Sequence, residues 1–547
     1  MTSAASDLHG AALDSAHVGD IRGALGTIAV DDVGARTSAS AKLKTLLAIV
    51  GPGLIVMVGD NDAGAFSTYG QAGQTYGTHL LWTFVLLIPV LYVNQEMVLR
   101  LGAVTGVGHA RLILERFGRF WGAFSVIDLF LLNALTIITE FIGVTLAAGY
   151  LGVPKVIAVL LAALVIIASA MTGSFRRFER IAMAFCAGSL LLIPLYVLAH
   201  PPAGQMATGF AVPTIPGGTG QLSTVMLLII GIVGTTVAPW QLFFQQSYVV
   251  DKRITPRFIP YEKADLVIGI AVVIVGGAAL MGAMAAAFGG AHAAGHFTDA
   301  AGLAAGVAAY AGKAAGALFA VALLDAAMIG AFAVSLSTAY ALGDVLGLKH
   351  SLHRGIKHAK GFYLMYAALI GGAATIVLIP GSPLGLFTEG VQVLAGVLLP
   401  SATVFLLMLC NDKAVLGPWV NGRATNTFSG AVIALLIMLS LILVASVVFP
   451  GIGARQIITI MAICAGAAVA TGIALLWRRG PAESGAAAET ARAAGASKEE
   501  WRMPRLAMLA PAPMSARRRL GMAGMWVYLA IAMCAVVFRI IEVALGR

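Results

Sequence analysis

The chain has 547 residues, of which 59% are hydrophobic and only 11% are charged, and its formal net charge is +10. Soluble globular domains carry about 25% charged residues, so this composition excludes an ordinary soluble protein. Apolar runs of about 20 residues recur along most of the chain, as in polytopic helical membrane proteins. The basic residues fall between these runs, where they set orientation in the membrane, so no nucleic-acid partner is expected.

The apolar runs divide the chain into an ordered series of segments. Residues 1–44 mix small, polar and charged residues and predict a disordered cytoplasmic tail. Residues 478–520 are Ala-rich and then basic, which predicts a flexible cytoplasmic linker, and residues 521–544 predict a thirteenth span or, alternatively, an amphipathic surface helix. Between the tail and the linker, twelve spans are predicted near residues 47–69, 80–101, 122–149, 154–172, 182–200, 223–248, 264–289, 314–343, 361–380, 386–410, 428–450 and 455–477.

The loops between these spans differ in charge from one side to the other. Lysines and arginines cluster in every second loop, whereas the opposite loops hold isolated cations such as Lys155 and Lys313. Cytoplasmic loops carry the excess of Lys and Arg, so both ends of the twelve-span core are predicted to be cytoplasmic. A multi-pass protein of this kind is expected in a bacterial inner membrane bilayer, as a monomer or in an oligomeric state that the sequence does not define.

The first span contains two acidic residues where a membrane helix is normally uncharged. They lie in the run Gly59-Asp60-Asn61-Asp62-Ala63-Gly64. A carboxylate in hydrocarbon costs several kcal/mol at least, so it is rarely kept there without a function. The glycines allow the backbone to leave the helix and expose carbonyl oxygens. Carboxylates, an amide and free carbonyls together predict a site for a hard cation, and therefore ion transport.

The sixth span is the second place where a regular helix is not expected. Thr235 and Thr236 precede Ala238-Pro239, and proline removes a backbone donor and clashes with the preceding turn. Spans one and six are thus both interrupted, five spans apart. Paired interruptions of this kind indicate an inverted-repeat transporter whose binding site lies near the bilayer midplane, between the two breaks.

Short motifs along residues 45–420 resemble the NRAMP family of divalent metal transporters. They are Gly51-Pro52-Gly53 followed by Asp62-Ala63-Gly64, Arg100-Leu101-Gly102 followed by Val104-Thr105-Gly106, Glu140-Phe141-Ile142-Gly143, and Gln392 eight residues before Pro400. The resemblance implies an all-α membrane protein with the LeuT-type fold. It implies inverted five-helix repeats over residues 45–200 and 223–410, with spans eleven and twelve over 428–477.

The resemblance also implies a metal site, from which this chain departs. The family uses Asp and Asn from the first span, and Met plus a backbone carbonyl from the sixth. The Asp is retained as Asp62, but the Asn position is Ala65 and the Met position is Ala238. The carbonyl position falls at Thr235, and the histidine linked to proton movement is replaced by Trp240. The soft thioether ligand and one proton-linked group are therefore missing.

Two further departures concern proton movement. The third-span acid one turn before Glu140 is replaced by Ile137, and no arginine lies inside the ninth span. Together with the altered ligands, this pattern resembles the NRAMP-related magnesium transporters, a branch that the resemblance implies is not coupled to protons. A thioether favours softer transition metals, whereas Mg²⁺ prefers a few carboxylates and retained waters.

The predicted function is transport of Mg²⁺ and Mn²⁺, as partly hydrated ions, by alternating access without tight proton coupling. One alternative is a proton-coupled Mn²⁺ or Fe²⁺ importer of the NRAMP type. A second is a LeuT-fold carrier of a small organic substrate. No nucleophile–base pair or phosphate loop is present, so an enzyme is not expected, and the transported ion is expected to be the only metal, with no cofactor.

The remaining candidate residues lie around the two breaks. Asp62 is the first choice for a ligand, and Asp60 either attracts the ion or makes a structural hydrogen bond. Gln241 and Gln392 are candidates to hold the metal or a metal-bound water. Trp240, Ala65 and Gly64 are expected to shape the cavity, because the indole N–H is a donor and cannot bind a cation, and Ala65 and Gly64 carry no ligand atom in their side chains. Thr235 offers a carbonyl or hydroxyl, although hydrogen bonding within the broken helix is the commoner use of such a threonine.

Overall fold

The computed structural model describes residues 15–216, 222–289, 295–379, 384–449, 452–477, 498–499, 501–509, 511–512, 521–531 and 534. These residues form helices almost throughout, because backbone polar groups in hydrocarbon must be satisfied within the segment. One short antiparallel hairpin is also present, formed by β1 (Ile21–Arg22) and β2 (Thr27–Ile28), with Ile21 opposite Ile28.

The helices of the first half of the chain are α1 (Ala39–Ile49), α2 (Pro52–Val58), α3 (Ala63–Tyr76), α4 (Trp82–Thr105), α5 (His109–Phe117), α6 (Arg119–Tyr150), α7 (Lys155–Ala170), α8 (Phe175–Gly188), α9 (Leu192–Ala199), α10 (Ala203–Ala211), α11 (Leu222–Thr236) and α12 (Pro239–Asp251). Those of the second half are α13 (Ile259–Phe288), α14 (Ala300–Ala311), α15 (Lys313–Leu346), α16 (Lys360–Val377), α17 (Leu384–Cys410), α18 (Lys413–Leu416), α19 (Arg423–Val448), α20 (Ala454–Trp477) and α21 (Gly521–Ile531). Short 3₁₀ helices occupy Ser15–His17, Ser189–Leu191, Pro256–Phe258, Ile356–His358, Gly417–Trp419 and Leu506–Met508.

The predicted spans correspond to this series of helices. Within the described ranges, ten helical segments are long and apolar enough to cross a membrane, and α1 with α2 forms an eleventh, bent candidate. Each of the ten overlaps one predicted span. The fourth predicted span is the shorter apolar helix α7. The prediction of an all-α membrane protein with interrupted first and sixth spans is confirmed.

The first span is bent at its start as well as at the acidic run. The helices α1 and α2 meet at 52°, and between them Gly51 has φ +155, a conformation that other residues rarely adopt. Pro52 then begins α2. The carboxylate of Asp265 in α13 accepts hydrogen bonds from the N–H groups of Gly51 (3.1 Å), Gly53 (2.7 Å) and Leu54 (3.2 Å), which otherwise have no helical partner. This half of the broken span is thereby attached to α13.

The core surrounds the two breaks. The long helix α15 packs along α6, while α13 packs on α2 and α3. In the second repeat, α11 packs on α17, and α12 packs on α4 and α15. The broken spans are thus enclosed by intact helices on several sides, which buries the break segments and the polar side chains that they carry.

The N-terminal tail differs from the prediction of disorder over residues 1–44. Residues 15–36 lie against the helix ends, and Ile21 and Ile28 of the hairpin are 4% and 5% exposed. The chain then enters α1 at Ala39, where the Ser38 hydroxyl caps the helix by accepting from the Ala41 N–H at 3.1 Å. Composition failed to predict this order because the segment is held largely through its backbone. Residues 1–14 lie outside the described part.

The C-terminal linker is also partly packed. Met503 is 1% exposed, and its N–H donates to the Val104 carbonyl at 3.4 Å, while the Ala512 N–H donates to the Arg116 carbonyl at 3.0 Å. The described parts of residues 478–520 therefore contact the ends of α4 and α5 rather than extending freely. The helix α21 covers the start of the predicted thirteenth span, and most of residues 532–544 lie outside the described part, so a thirteenth span stays a prediction.

Candidate metal centre

The first break separates α2 from α3. Helix α2 ends at Val58, residues 59–61 form a turn, and Asp62 caps the start of α3. The Oδ1 atom of Asp62 accepts from the Ala65 N–H at 2.8 Å, so the carboxylate lies at the positive end of a helix. Asp60, Asn61 and Asp62 are 0%, 4% and 3% exposed. The unwound segment therefore holds two acids and an amide in the interior, as the sequence predicts.

The second break separates α11 from α12. Helix α11 ends at Thr236 and α12 begins at Pro239, with Ala238 as its N-cap. Pro239 has no N–H, so the carbonyl of Thr235, four residues earlier, loses its helical donor. The Thr235 hydroxyl is also buried without a hydrogen-bond partner among the described residues. The position of the expected carbonyl ligand is thus one whose backbone oxygen lacks the regular helical donor.

The two breaks meet in space. The Gln241 side chain in α12 donates from Nε2 to Oδ1 of Asp60. The indole ring of Trp240 lies 3.3 Å from the position that a Cβ on Gly59 would occupy. The carbonyl of Trp240 accepts from the Ser337 hydroxyl of α15 at 2.9 Å, which attaches this end of the break to an intact helix. Trp240 therefore lies between the two breaks, and its role in shaping a cavity there stays a prediction.

Asp62 has two polar neighbours from other helices. Oε2 of Glu140 in α6 accepts from the N–H of Ala63 at 3.1 Å. The amide of Gln392 in α17 fills the space where a Cβ on Gly64 would lie, and Asp62 Oδ1 is 3.1 Å from that same point. The Gln392 Nε2 atom is buried and has no hydrogen-bond partner among the described residues. Asp62, Glu140 and Gln392 thus form one group. The Gln392 amide fits against Gly64 only because this residue has no side chain.

Asp60 belongs to a different group of residues. Gln241 Nε2 donates to Asp60 and also to the Thr236 carbonyl at 3.2 Å, and Gln241 Oε1 accepts from Gln95 Nε2 at 2.8 Å. The Thr236 hydroxyl is 2.6 Å from the hydroxyl of Tyr69. The second carboxylate oxygen of Asp60 has no hydrogen-bond partner among the described residues. The two acids of the break therefore face separate sets of partners.

In the part of the chain that the structure describes, the acids at the breaks have no positive partner. Among the described residues, no salt bridge involves Asp60, Asp62 or Glu140. One oxygen each of Asp60 and Glu140 is buried and unpaired there. Ionised groups in this setting are costly unless a cation or a proton joins them. The arrangement therefore favours occupancy by a small cation.

The described residues contain no group of three or more His, Cys, Asp and Glu side chains arranged to hold a metal ion. A cation at the breaks would consequently depend on amide and backbone oxygens or on water as well as on carboxylates. Oxygen donors of this kind suit hard divalent ions.

All the predicted site residues are buried near one of the two breaks, including Ala65 (0% exposed) and Ala238 (5% exposed). Sequence reasoning did not include Gln95 or Tyr69 in the site. A signal for Gln95 was present, because Asn94-Gln95-Glu96 is a polar run inside an apolar span. Asp325, an acid inside the predicted eighth span, is not among the residues at the breaks, and its carboxylate lies against Gly188 of α8.

The family relationship follows from comparison with known proteins. The family model described as natural resistance-associated macrophage protein-like matches residues 53–446. The chain belongs to the NRAMP family. The resemblance drawn from the motifs is therefore confirmed, and the chain is a multi-pass integral membrane protein. Whether it lies in the magnesium branch stays a prediction.

Two curated relatives of this NRAMP chain are divalent metal cation transporters named MntH. It is 30% identical to the divalent metal cation transporter MntH of Ralstonia nicotianae over 424 residues, which is 73% of this chain and 91% of that protein. It is 27% identical to the divalent metal cation transporter MntH of Erwinia tasmaniensis over 419 residues, 74% of this chain and 95% of that protein. These relatives are named as transporters rather than enzymes.

Solved structures show the same fold. A crystal structure of the Eremococcus coleocola manganese transporter, in complex with an aromatic bis-isothiourea substituted compound, has a TM-score of 0.60 and 21% identity, covering 82% of this chain and 96% of that one. A mutant of that transporter has a TM-score of 0.61 at 21% identity, covering 84% and 97%. The predicted LeuT-type architecture of the NRAMP family is confirmed at the level of fold.

Proposed function

We propose that this protein transports divalent metal cations across a bacterial inner membrane by alternating access, with its N-terminus in the cytoplasm. The names of the relatives support divalent metal transport, and the manganese transporter with the same fold supports Mn²⁺ as a cargo. These comparisons favour the Mn²⁺ importer, which the sequence offered as an alternative, over a preference for Mg²⁺. Clustered Lys and Arg in every second loop support the orientation.

The observation that carries the proposal is the meeting of the two breaks around unpaired oxygen atoms. Asp62 supplies a carboxylate, and Thr235 supplies a carbonyl that Pro239 leaves without a helical donor. Gln392 and Asp60 are within reach of the same unwound segments through Gly64 and Gln241. Unwound segments of two broken helices at the midplane are the usual place for a transported ion.

The ligand chemistry supports Mg²⁺ as a second cargo. Ala238 stands where the family has methionine, so the position offers no thioether sulfur to favour soft metals. Mg²⁺ sheds water reluctantly and binds through few carboxylates with several waters retained. Replacing a methionine by alanine also leaves room for such waters. Mn²⁺ accepts the same oxygen ligands, so the proposed site admits both ions, with Asp62 as the shared direct or water-mediated ligand.

Coupling to protons is a second candidate function, and Glu140 favours it. Glu140 is a fully buried acid that accepts from the N–H of Ala63, next to Asp62. It has no salt bridge among the described residues, so its charge requires a proton or a cation nearby. Against tight coupling stand the missing histidine at Trp240 and the missing third-span acid at Ile137. The membrane potential alone supplies about 4.6 kcal/mol per 100 mV for a divalent cation moving inward.

Flux measurements test these proposals. Purified protein in liposomes would be given Mn²⁺, Mg²⁺ or Ca²⁺ outside, with a metal-sensitive dye and a pH-sensitive dye inside. We expect Mn²⁺ and Mg²⁺ entry driven by an inside-negative potential, and loss of both in Asp62→Ala. Internal acidification that tracks metal entry would establish the proton-coupled importer. Absence of any divalent flux, or flux unaffected by Asp62→Ala, would overturn the proposal.

A further inference from the structure

The N-terminal hairpin lies across the junction between a broken span and intact spans. We propose that residues 15–36, called here the N-terminal clamp, hold the cytoplasmic side of the protein closed and so slow transport. The proposal rests on the orientation given above, in which this face is cytoplasmic. The clamp is an intramolecular brake, formed by a segment that the family-matched region, residues 53–446, does not include.

Arginines of the cytoplasmic loops bind the backbone of the clamp. In α8, Arg176 donates to the carbonyls of Gly23 and Gly26, both at 3.1 Å, and Arg180 donates to the Ala24 carbonyl at 3.0 Å. In return, the Ala24 N–H donates to Oε2 of Glu179 at 2.5 Å. The hairpin is therefore fastened to the start of span five along its turn.

A second set of contacts comes from the loop between spans six and seven. Arg253 donates to the carbonyls of Ala16 (2.9 Å) and Asp20 (3.1 Å). Arg257 donates to the Asp32 carbonyl at 2.6 Å. Nearly all of these hydrogen bonds are accepted by backbone oxygens. They therefore depend on the backbone conformation of the clamp and not on the identity of its side chains. The same arginines were predicted from sequence to set membrane orientation, and the structure gives them this additional role.

The clamp also covers the part of span one that must move. A Cβ on Gly23 would collide with the Ala48 carbonyl of α1 and approach Lys252, and a Cβ on Gly26 would lie 2.9 Å from the Ala48 Cβ. Below it, Lys252 Nζ donates to the carbonyls of Ile49 (2.6 Å) and Val50 (2.9 Å) at the end of α1. The clamp therefore contacts the end of α1 and lies beside the lysine that binds the last carbonyls of this helix.

A further link joins the same residues to span five. Nζ of Lys252 forms a salt bridge with Glu179 at 2.7 Å, and both side chains are fully buried. Glu179 is also the residue that accepts from Ala24 of the clamp. The clamp thus shields from water the ion pair that connects span one, span five and span six.

Alternating access requires the broken spans to separate from intact spans on one side of the membrane at a time. Opening toward the cytoplasm would move α1 away from α8 and would break the contacts of the clamp with one of them. Interactions made only in the closed state shift the population toward that state and lower the fraction open to the cytoplasm. Release of the clamp should therefore raise the rate of transport.

The test uses a glycine pair within the clamp. In Gly23→Val, the added side chain collides with α1 and displaces the hairpin, whereas in Gly34→Val the nearest atom, on the Asp32 side chain, is 3.5 Å from the new Cβ. A second variant, Arg176→Met with Arg180→Met, removes the N–H donors without adding bulk. Release is read in lipid nanodiscs from maleimide labelling of Ile28→Cys, a smaller side chain at a position of the hairpin that is 5% exposed, with the four native cysteines replaced by alanine. Mn²⁺ uptake into liposomes is read from the same variants.

We expect about tenfold faster labelling and about threefold or more faster initial uptake in Gly23→Val and in the double arginine variant, with Gly34→Val like the parent. Faster labelling without faster uptake would overturn the brake, as would a fall in uptake. Unchanged labelling in both variants would overturn the contacts themselves. If Gly23→Val fails to fold, the arginine variant decides. Labelling needs no cargo, so a parent protein without Mn²⁺ uptake would refute the proposed function separately.

Discussion

The contact between Asp62 and Glu140 can be disturbed without changing either acid. Gly330 of α15 lies against both of them. A Cβ at this position would be 2.7 Å from the Glu140 carboxyl carbon and 2.9 Å from Asp62 Cβ, whereas ordinary contacts are 3.4–4 Å. Gly330→Ala should therefore push the two acids apart or shift one of them by several tenths of an ångström.

The size of the effect follows from the cost of overpacking. Forcing an extra methyl group into a packed interior costs about 1–3 kcal/mol. If this cost falls on the metal-bound state alone, each 1.4 kcal/mol lowers the affinity for the metal tenfold. A cost of about 1–3 kcal/mol therefore predicts a loss of affinity of roughly 5- to 150-fold. We expect the dissociation constant for Mn²⁺ to rise at least about fivefold, and uptake at low Mn²⁺ to fall in parallel.

The matched control is another helical glycine. A Cβ on Gly372 in α16 would have no neighbouring atom within 4 Å, so Gly372→Ala changes helix propensity in the same direction without crowding. Equilibrium Mn²⁺ binding and thermal melting would be measured for both variants. Gly330→Ala with an unchanged dissociation constant, in protein that melts like the parent, would refute the view that Asp62 and Glu140 belong to one cation site.

Three further predictions follow from the same structure. Ala238→Met restores a thioether, so it should raise the affinity for Cd²⁺ relative to Mg²⁺ in competition binding, and unchanged selectivity would contradict the argument from ligand softness. Gln95→Leu removes the N–H donor that holds the Gln241 carbonyl oxygen, so Mn²⁺ uptake should fall. Gln95→His keeps a ring N–H donor of similar reach and should lose less uptake, and equal losses in the two variants would argue for a packing role. Burial lowers the pKa of His350, but the Asp344 carboxylate, 3.0 Å away, raises it by more, so that the pKa is about 9. An unfolded histidine has a pKa of about 6.5, so the pair of protonated His350 with Asp344 stabilises the fold fully below that pH and loses this effect as the pH rises through 9. The melting temperature should therefore fall between these pH values in the parent, and fall less in His350→Gln.

The breaks could be predicted from the sequence because they violate the rules for a membrane helix. Two acids in an apolar span and a proline after two threonines leave few alternatives to an unwound segment. The pairing of these features, five spans apart, then gave the inverted repeat. The resemblance to the NRAMP family supplied the positions of Ala65, Ala238 and Gln392, which no property of those residues alone would have marked.

The separation of Asp60 from Asp62 could not be predicted. In an unwound segment, the direction of each side chain depends on its partners, and the partner of Asp60 is held by Gln95 from a distant part of the chain. The N-terminal clamp was missed for a related reason. Its bonds join arginine side chains to backbone carbonyls, which have the same chemistry in every residue and therefore leave no pattern in the sequence.

The central claim is that Asp62 forms part of a divalent cation site, and equilibrium binding of Mn²⁺ to the purified protein tests it most directly. The comparison is Asp62→Asn against Asp128→Asn, since Asp128 is a buried acid in α6 that accepts a 3.3 Å bond from Ser401 and lies outside the two breaks. Loss of the Asp62 charge should weaken binding about tenfold or more, while Asp128→Asn binds like the parent. Equal affinity in all three proteins would contradict the account.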